Sequence, residues 1–285
     1  MVHKKILLGL LGILLFTTLV FLLLNRPSNN RDWDYGFETV AGIQVSGNEV
    51  AIKNLRNMNI VNNQAVFTYA PRKVSVTDVA KAWFVFEPFS IPNLQNFKGV
   101  AHTYLVFDFV NGSPIAISVE ARREKGEDYS AYWGMVNKFE LINIWSTEED
   151  ATIQRGVLRK SELYMFPLEV SRLEAQGLFL QLAKDTQELE AHPRFYNSLL
   201  ANCTSELAVS ANKSKPGIIP LTIATFFPGY ADKEMYRLKL IPHDKTLAQV
   251  KAEYYISDLV NKFYPSEDFS LLLRDSLPRK SLALQ

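Results

Sequence analysis

The sequence predicts an α+β protein in which an antiparallel sheet packs against the helix that carries the only cysteine, with one transmembrane helix ahead of this domain. Three observations support this prediction. Residues 6–24 form an apolar run without charge, residues 42–145 alternate short apolar segments with turn residues, and residues 171–211 combine helix-forming residues with capping signals. With 285 residues, 47% of them hydrophobic, the chain can bury a large core.

The N-terminus is expected to be an uncleaved membrane anchor. Lys4 and Lys5 precede the nineteen residues of the run 6–24, and this length crosses a bilayer core at about 1.5 Å per residue. The run is longer than the apolar part of a usual signal peptide, and no small-residue cleavage site follows it. The positive-inside tendency then predicts a single-pass protein of the inner membrane with its body in the periplasm. A cleaved signal peptide is the alternative, and it exports the body too.

Four parts are predicted along the chain: an anchor over 1–26, a polar linker over 27–32, a domain over 33–240 and a helical extension over 241–285. Strands are expected at 42–45, 50–52, 65–69, 82–86, 100–109, 115–124 and 140–145, with an extended segment at 163–168. Helices are expected at 146–159, 171–191, 203–211 and 247–263. The linker is short, so the domain should lie close to the membrane.

Asn111 and Gly112 predict a hairpin between the strands 100–109 and 115–124. A turn centred near Gly112 places His102 across from Arg122 or Arg123 and diagonal to Glu120. Ser118, Glu120 and Arg122 alternate with apolar residues and therefore share one face of the sheet.

Cys203 is the candidate nucleophile because it is the only thiol and stands where a helix begins, with Asn202 able to cap that helix. The helix dipole and the unpaired N–H groups at this end favour the thiolate. His102 is the candidate general base and acid, since imidazole has a suitable pKa for both roles. Glu120 is the candidate for orienting the imidazole, with Ser118 and Glu124 behind it.

Composition excludes several classes of protein and of partner. The formal net charge of +1 gives no reason to expect nucleic acid, and one cysteine excludes an intrachain disulfide framework. We expect no cofactor. The expected partners are the lipid bilayer, through residues 6–24, and an envelope substrate: a lipid, a lipoprotein or a peptidoglycan peptide.

Three separated motifs resemble the Lnb N-terminal periplasmic domain family over about residues 33–240. They are Ala101-His102-Thr103, the segment from Ser118 to Glu127, and the segment from Phe195 to Thr204, which includes Tyr196. The order of histidine, acidic strand and cysteine helix more distantly resembles the circularly permuted papain-like hydrolases, among them relatives of the NlpC peptidases. That resemblance implies a permuted papain-like domain in which the thiolate attacks an ester or amide carbonyl and the N–H of Cys203 helps to form an oxyanion hole.

The predicted function is that of a membrane-anchored, exported cysteine hydrolase or acyltransferase. Asn202, Thr204 and Tyr196 would shape the site, and Arg122 would either bind an anionic group of the substrate or pair with Glu124. Two alternatives remain open at this point: a non-catalytic binding module of the envelope that uses the same cleft, and a zinc site formed by His102, Glu120 and Cys203.

Overall fold

The computed structural model describes residues 25–89 and 97–278, together with residues 9, 12–13 and 16–17. The strands in this part of the chain are β1 (Ile43–Ser46), β2 (Glu49–Val61), β3 (Gln64–Ser75), β4 (Val79–Pro88), β5 (Ala101–Phe109), β6 (Ile115–Arg122), β7 (Glu140–Thr147) and β8 (Tyr164–Pro167). The α-helices here are α1 (Ala131–Met135), α2 (Glu148–Ile153), α3 (Arg172–Ala191), α4 (Cys203–Ser214), α5 (Ile223–Phe226), α6 (Ala231–Arg237), α7 (Leu247–Glu253), α8 (Ser257–Phe263) and α9 (Phe269–Ser276). Helix α2 continues into a π-helical segment, Gln154–Leu158.

The described strands form one sheet in the order β1-β2-β7-β6-β5-β4-β8, and β3 pairs with the other side of β2. All these pairs are antiparallel except β2 with β7, which is parallel and is formed at Arg56 and Ser146. The predicted α+β class and the predicted antiparallel character of the sheet are therefore confirmed. The papain-like permutation stays a prediction.

The β2–β3 hairpin is much longer than the sequence predicts. Asn62 and Asn63 both adopt positive φ, 51° and 60°, and form the two-residue turn that such a hairpin favours. The expectation that Pro71 ends the third strand was wrong. Pro71 lies opposite a bulge between Ile52 and Leu55, where its missing N–H removes no regular ladder bond.

Helices cover both faces of the sheet. On one face, Phe179 of α3 packs against Phe107 and Trp145, with ring centroids 5.2 and 5.4 Å apart. On the other face, Arg274 of α9 pairs with Asp108 of β5 at 2.7 Å. Because β5 is buried on both sides, its middle part, Tyr104–Phe107, is continuously apolar instead of alternating.

The single helix expected over 247–263 is divided into α7 and α8. The chain extends at Tyr254–Ile256 because its backbone pairs with β8 there. The N–H of Met165 donates to the carbonyl of Tyr254, and the N–H of Ile256 donates to the carbonyl of Leu163, each at 2.9 Å. Helix α9 then follows without having been predicted.

The predicted anchor at 6–24 lies, apart from five helical residues, outside the described part of the chain. Within that part, none of the helices has the length and apolarity needed to cross a bilayer.

Candidate active-site cleft

The site lies at the N-terminal end of β5, where His102 faces β6. The two strands pair over Tyr104–Phe107 and Ile115–Ser118, and continuing this register brings Glu120 level with His102. The predicted placement of His102 opposite Arg122 or Arg123 was therefore wrong. The reason is that the innermost pair of this ladder is Phe107 with Ile115, so residues 108–114 connect the paired parts of the strands and the register is centred on Asn111 instead of Gly112.

His102, Ser118 and Glu120 form a hydrogen-bonded group. The Nε2 atom of His102 is 2.7 Å from Ser118 Oγ and 3.2 Å from Glu120 Oε1. The hydroxyl of Ser118 donates to Glu120 Oε1 at 2.7 Å, so its oxygen accepts from the Nε2–H of His102. These contacts fix the ring and leave Nδ1 as the nitrogen available to the thiol.

Cys203 is the first residue of α4, as the sequence predicts. Asn202 caps the helix, because its side-chain oxygen accepts from the N–H groups of Thr204 and Ser205, each at 2.9 Å. The Sγ atom of Cys203 is 3.9 Å from the carbonyl oxygen of Ala101, over the start of β5. The helix end thus holds the thiol against the strand that carries the histidine.

The loop before Cys203 is braced by the other end of the Asn202 side chain. Its Nδ2 atom donates to the carbonyls of Ser198 at 3.2 Å and Thr225 at 3.1 Å. Asn202 is fully buried. Its geometry agrees with the predicted site-shaping role and gives it no direct contact with the cleft.

Electrostatics favour a thiolate–imidazolium pair. Burial lowers the pKa of His102, but Glu120 and Cys203 outweigh it and raise that pKa to about 9. Burial raises the pKa of Cys203, but the imidazole of His102 and the N–H of Thr103 outweigh it, so the net direction is downward. Burial likewise opposes ionisation of Glu120, yet His102 and then Arg155 hold the pKa of that carboxyl well below its usual range. His102 and Glu120 are therefore charged near neutral pH, and the lowered pKa of Cys203 favours its thiolate.

Sequence reasoning missed Arg155 and Glu87, a buried ion pair that contacts Glu120. Arg155 donates to Glu120 Oε1 at 2.6 Å and to Glu87 Oε2 at 3.0 Å. Glu87 is fully buried and pairs with His102 in the β4–β5 ladder. Glu87 directly follows the apolar run Trp83–Phe86, and a carboxylate at the end of a buried strand is a sequence signal for a buried ion pair. No sequence pattern indicates that the π-helical segment turns Arg155 toward the sheet.

These groups open into a cleft of about 380 Å³. Four predicted site residues line it: Cys203, His102, Glu120 and Tyr196. The other lining residues are Phe37, Phe89, Val100, Ala101, Val119, Ala121, Arg123, Tyr129 and Arg159. Arg123 pairs with Asp34 at 3.1 Å, whereas Arg159 forms no ion pair with any residue in the described ranges. Arg159, which the sequence did not indicate, is therefore the cation of the cleft that can receive an anionic group.

Arg122 lies away from the cleft. Its guanidinium stacks on Trp33 at 4.0 Å and donates to the carbonyls of Phe37 at 2.9 Å and Glu38 at 3.1 Å. It also donates to Asn29 Oδ1 at 3.1 Å. These contacts hold the N-terminal segment against the sheet. Because they use the guanidinium of Arg122, this side chain is not available for the anionic substrate group that the sequence suggested.

The remaining predicted site residues have separate surroundings. Thr204 faces away from the cleft, with its Oγ1 atom 2.9 Å from that of Thr103, and lines an apolar cavity of about 90 Å³. Burial raises the pKa of Tyr196 well above its usual value, so its phenol stays protonated in the cleft wall. Glu124 pairs with Arg31 at 3.2 Å.

Two further histidines in the described part of the chain, His192 and His243, lie apart from the cleft. His192 is exposed and approaches Glu188 at 3.8 Å, and Nδ1 of His243 is 3.3 Å from the carbonyl oxygen of Ile241. Among the residues that the structure describes, no three His, Cys, Asp or Glu side chains are arranged to hold a metal ion. The zinc alternative thus gains no support from the arrangement of these side chains.

A sheet packed on a helix whose first residue is a thiol, with an imidazole in the same cleft, defines an α+β domain with a cysteine–histidine site. The model of the Lnb N-terminal periplasmic domain family matches residues 69–229, which are 161 of the 285 residues and include all eight predicted site residues. The chain belongs to this family, as its motifs predict, and the family's name indicates a location in the cell envelope. Comparisons with curated proteins and with solved structures gave no match.

Proposed function

We propose that this protein is a cysteine hydrolase or acyltransferase that acts on an ester or amide carbonyl in the cell envelope, anchored in the inner membrane by residues 6–24. One observation carries the proposal: Cys203, at a helix N-terminus, shares a cleft with His102, whose ring Ser118 and Glu120 hold in place. A buried thiolate–imidazolium pair beside an open cleft is the arrangement that nucleophilic catalysis requires.

The chemistry follows from these positions. The thiolate of Cys203 attacks the carbonyl carbon, and the N–H of Cys203, which has no acceptor within its own helix, donates to the oxygen on which negative charge develops. The imidazolium of His102 gives its proton to the departing alcohol or amine, which leaves an acyl thioester on Cys203. His102, now neutral, removes a proton from water or from an acceptor amine or alcohol, and this nucleophile releases the acyl group.

Two features bear on the substrate. Arg159 places a positive charge in the cleft and favours a substrate with an anionic group. The short linker over 27–32 would keep the domain close to the bilayer, and this favours a lipid or lipoprotein acyl group over a polar peptidoglycan peptide.

The direct test is to trap the thioester. Full-length protein in detergent is incubated with phospholipid, with lipopeptide or with peptidoglycan peptide, and the acyl mass on Cys203 is measured by mass spectrometry. We expect an adduct with at least one lipid class and none in Cys203→Ala. Absence of any adduct from a folded wild-type protein, together with function in cells that survives Cys203→Ala, would assign the cleft to a non-catalytic binding module.

The role of Arg159 is tested by alkylating the sole cysteine with two reagents of similar size. Iodoacetate carries a negative charge and iodoacetamide is neutral. We expect Arg159→Gln to lower the ratio of the iodoacetate rate to the iodoacetamide rate several-fold, since only the anion loses an attraction. Arg172→Gln, on α3, is the control and should leave this ratio unchanged. An unchanged ratio in Arg159→Gln would remove Arg159 from the binding site.

A further inference from the structure

An exposed apolar surface lies beside the cysteine cleft. It consists of large side chains that the described structure leaves open to solvent, and we call it the apolar rim: Tyr132, Trp133, Met135, Val136, Leu200, Leu221 and Ile223. The rim draws on separate parts of the sequence: three residues of α1 with Val136 directly after it, Leu200 from the loop before Cys203, and two residues near the start of α5. Folding alone does not explain why so much apolar surface stays exposed here.

Hydrogen bonds tie these parts together. The Nδ2 atom of Asn197 donates to the carbonyl of Met135 at 3.0 Å, and its Oδ1 atom accepts from the N–H of Leu200 at 3.1 Å. Asn202 connects the same loop to α5 through the carbonyl of Thr225. The members of the apolar rim are therefore held by one connected framework.

The chain enters the body next to this framework. Asn25 directly follows the apolar run 6–24, and its Nδ2 atom donates to the carbonyl of Asn137 at 3.2 Å. Asn137 is the residue after Val136, a member of the apolar rim. An anchor that ends at residue 24 must therefore leave the bilayer beside α1.

We propose that the apolar rim lies in the interfacial layer of the bilayer that holds the anchor. Tryptophan and tyrosine favour this layer, and Trp133 and Tyr132 lie in edge-to-face contact with ring centroids 5.2 Å apart. The anchor would keep the rim at high effective concentration near lipid, so each contact can be weak. Tyr129, just before α1, lines the cleft, so this docking brings the cleft to the membrane surface. The inference rests on the anchor of the proposed function but not on the proposed chemistry.

The tryptophans provide a native probe. The chain has four of them: Trp133 is 52% exposed, whereas Trp33, Trp83 and Trp145 are at most 4% exposed, and the run 6–24 contains none. Full-length protein is reconstituted in phosphatidylcholine vesicles with or without bromine on the acyl chains. We expect brominated lipid to quench the emission of Trp133 in the wild-type protein. In the Trp133→Phe variant, the remaining emission should be the same with and without bromine.

A second position supplies the matched control. Leu173 is 78% exposed in the first turn of α3, about 26 Å along that helix from Glu190, whose carbonyl accepts from Asn29 near the chain entry. Trp133→Phe combined with Leu173→Trp should show no quenching. Equal quenching at both positions would overturn the docking geometry. Absence of quenching at Trp133 in protein that floats with the vesicles would overturn the docking, whereas protein that does not float with them would overturn the anchor. An emission that instead changes with protein concentration would assign the rim to a second copy of the chain.

Discussion

The proton shared between Cys203 and His102 sets the pH range in which the site can work. The pKa of the thiol is lowered and that of the imidazole is raised to about 9, so the charged pair exists between the two values. We expect alkylation of Cys203 by iodoacetamide to stay fast below the range of an ordinary thiol. Catalytic turnover should fall as the pH rises through about 9, because His102 then loses the proton that the leaving group requires.

The matched variant for this prediction is His102→Ala. Without the imidazolium, burial is no longer outweighed, and the alkylation profile should move to that of an ordinary or less acidic thiol. Rates are measured by mass spectrometry across the pH range, and the sole cysteine makes the signal unambiguous. Identical profiles in both proteins would show that Cys203 is a structural thiol.

Arg155 illustrates how a buried charge supports the site without facing the substrate. We expect Arg155→Met to lower the free energy of unfolding by about 3–5 kcal/mol, since it leaves the carboxylate of Glu87 buried without its cation. Glu87→Gln combined with Arg155→Met should recover part of this loss, because the buried negative charge is then gone. Urea denaturation followed by circular dichroism measures both, and additive losses in the double variant would contradict the coupling.

At the scale of elements, helix α1 packs closely against the loop before Cys203, and the closest contact is between Gly134 and Ser198. A Cβ atom on Gly134 would lie 2.1 Å from Ser198 Oγ but 3.4 Å from Ser198 Cβ. We expect Gly134→Ala to destabilise the protein by about 1–3 kcal/mol through this overlap. Ser198→Ala should be nearly neutral, since that hydroxyl is buried without a partner in the described structure, and combining the two changes should restore stability. Thermal denaturation measures the stability of all three variants. A double variant as unstable as Gly134→Ala would show that the overlap with the Ser198 hydroxyl is not the cause of the loss.

Local signals predicted local elements well. The predicted hairpin turn between β1 and β2 is confirmed because Gly47 adopts the positive φ that such a turn needs. The cap at Asn202 and the start of α4 were equally readable, since both depend on neighbours in sequence. Asn62-Asn63 carried a turn signal that the sequence reading overlooked.

Whatever depended on distant contacts could not be predicted. The β5–β6 ladder ends at Phe107 and Ile115 instead of continuing to the Asn-Gly pair, and the break between α7 and α8 follows from backbone bonds to β8. For the site, the sequence indicated Cys203, His102 and Glu120, whose residue types suit the chemistry. It could not reveal Arg155 or Arg159, because helical spacing alone does not say which side faces a cleft.

For the whole molecule, the C-terminal helices are part of the same packing unit as the sheet. Arg274 of α9 pairs with Asp108 of β5 and with the fully buried Glu148 of α2. We expect Arg274→Met to lower the free energy of unfolding by about 3–5 kcal/mol, as Glu148 loses its cation. Circular dichroism and tryptophan emission should still report one common transition, since a single sheet joins both halves.

Arg237→Met is the control for this prediction. Arg237 pairs with Glu234 on the surface of α6, and such exposed pairs contribute little to stability, so this variant should unfold like the wild type. A small loss in Arg274→Met, or separate transitions for the two probes, would show that the C-terminal helices unfold independently of the sheet.

The two outer strands of the sheet are protected against pairing with another chain in different ways. The edge of β8 is occupied by the extended backbone at Tyr254–Ile256. On β3, Arg72 and Lys73 bring positive charge beside Pro71, which donates no hydrogen bond. On the membrane surface proposed for this protein, copies of the chain would meet at high local density, where an unprotected strand would recruit its neighbours into aggregates. Both edges are thus suited to crowding in two dimensions.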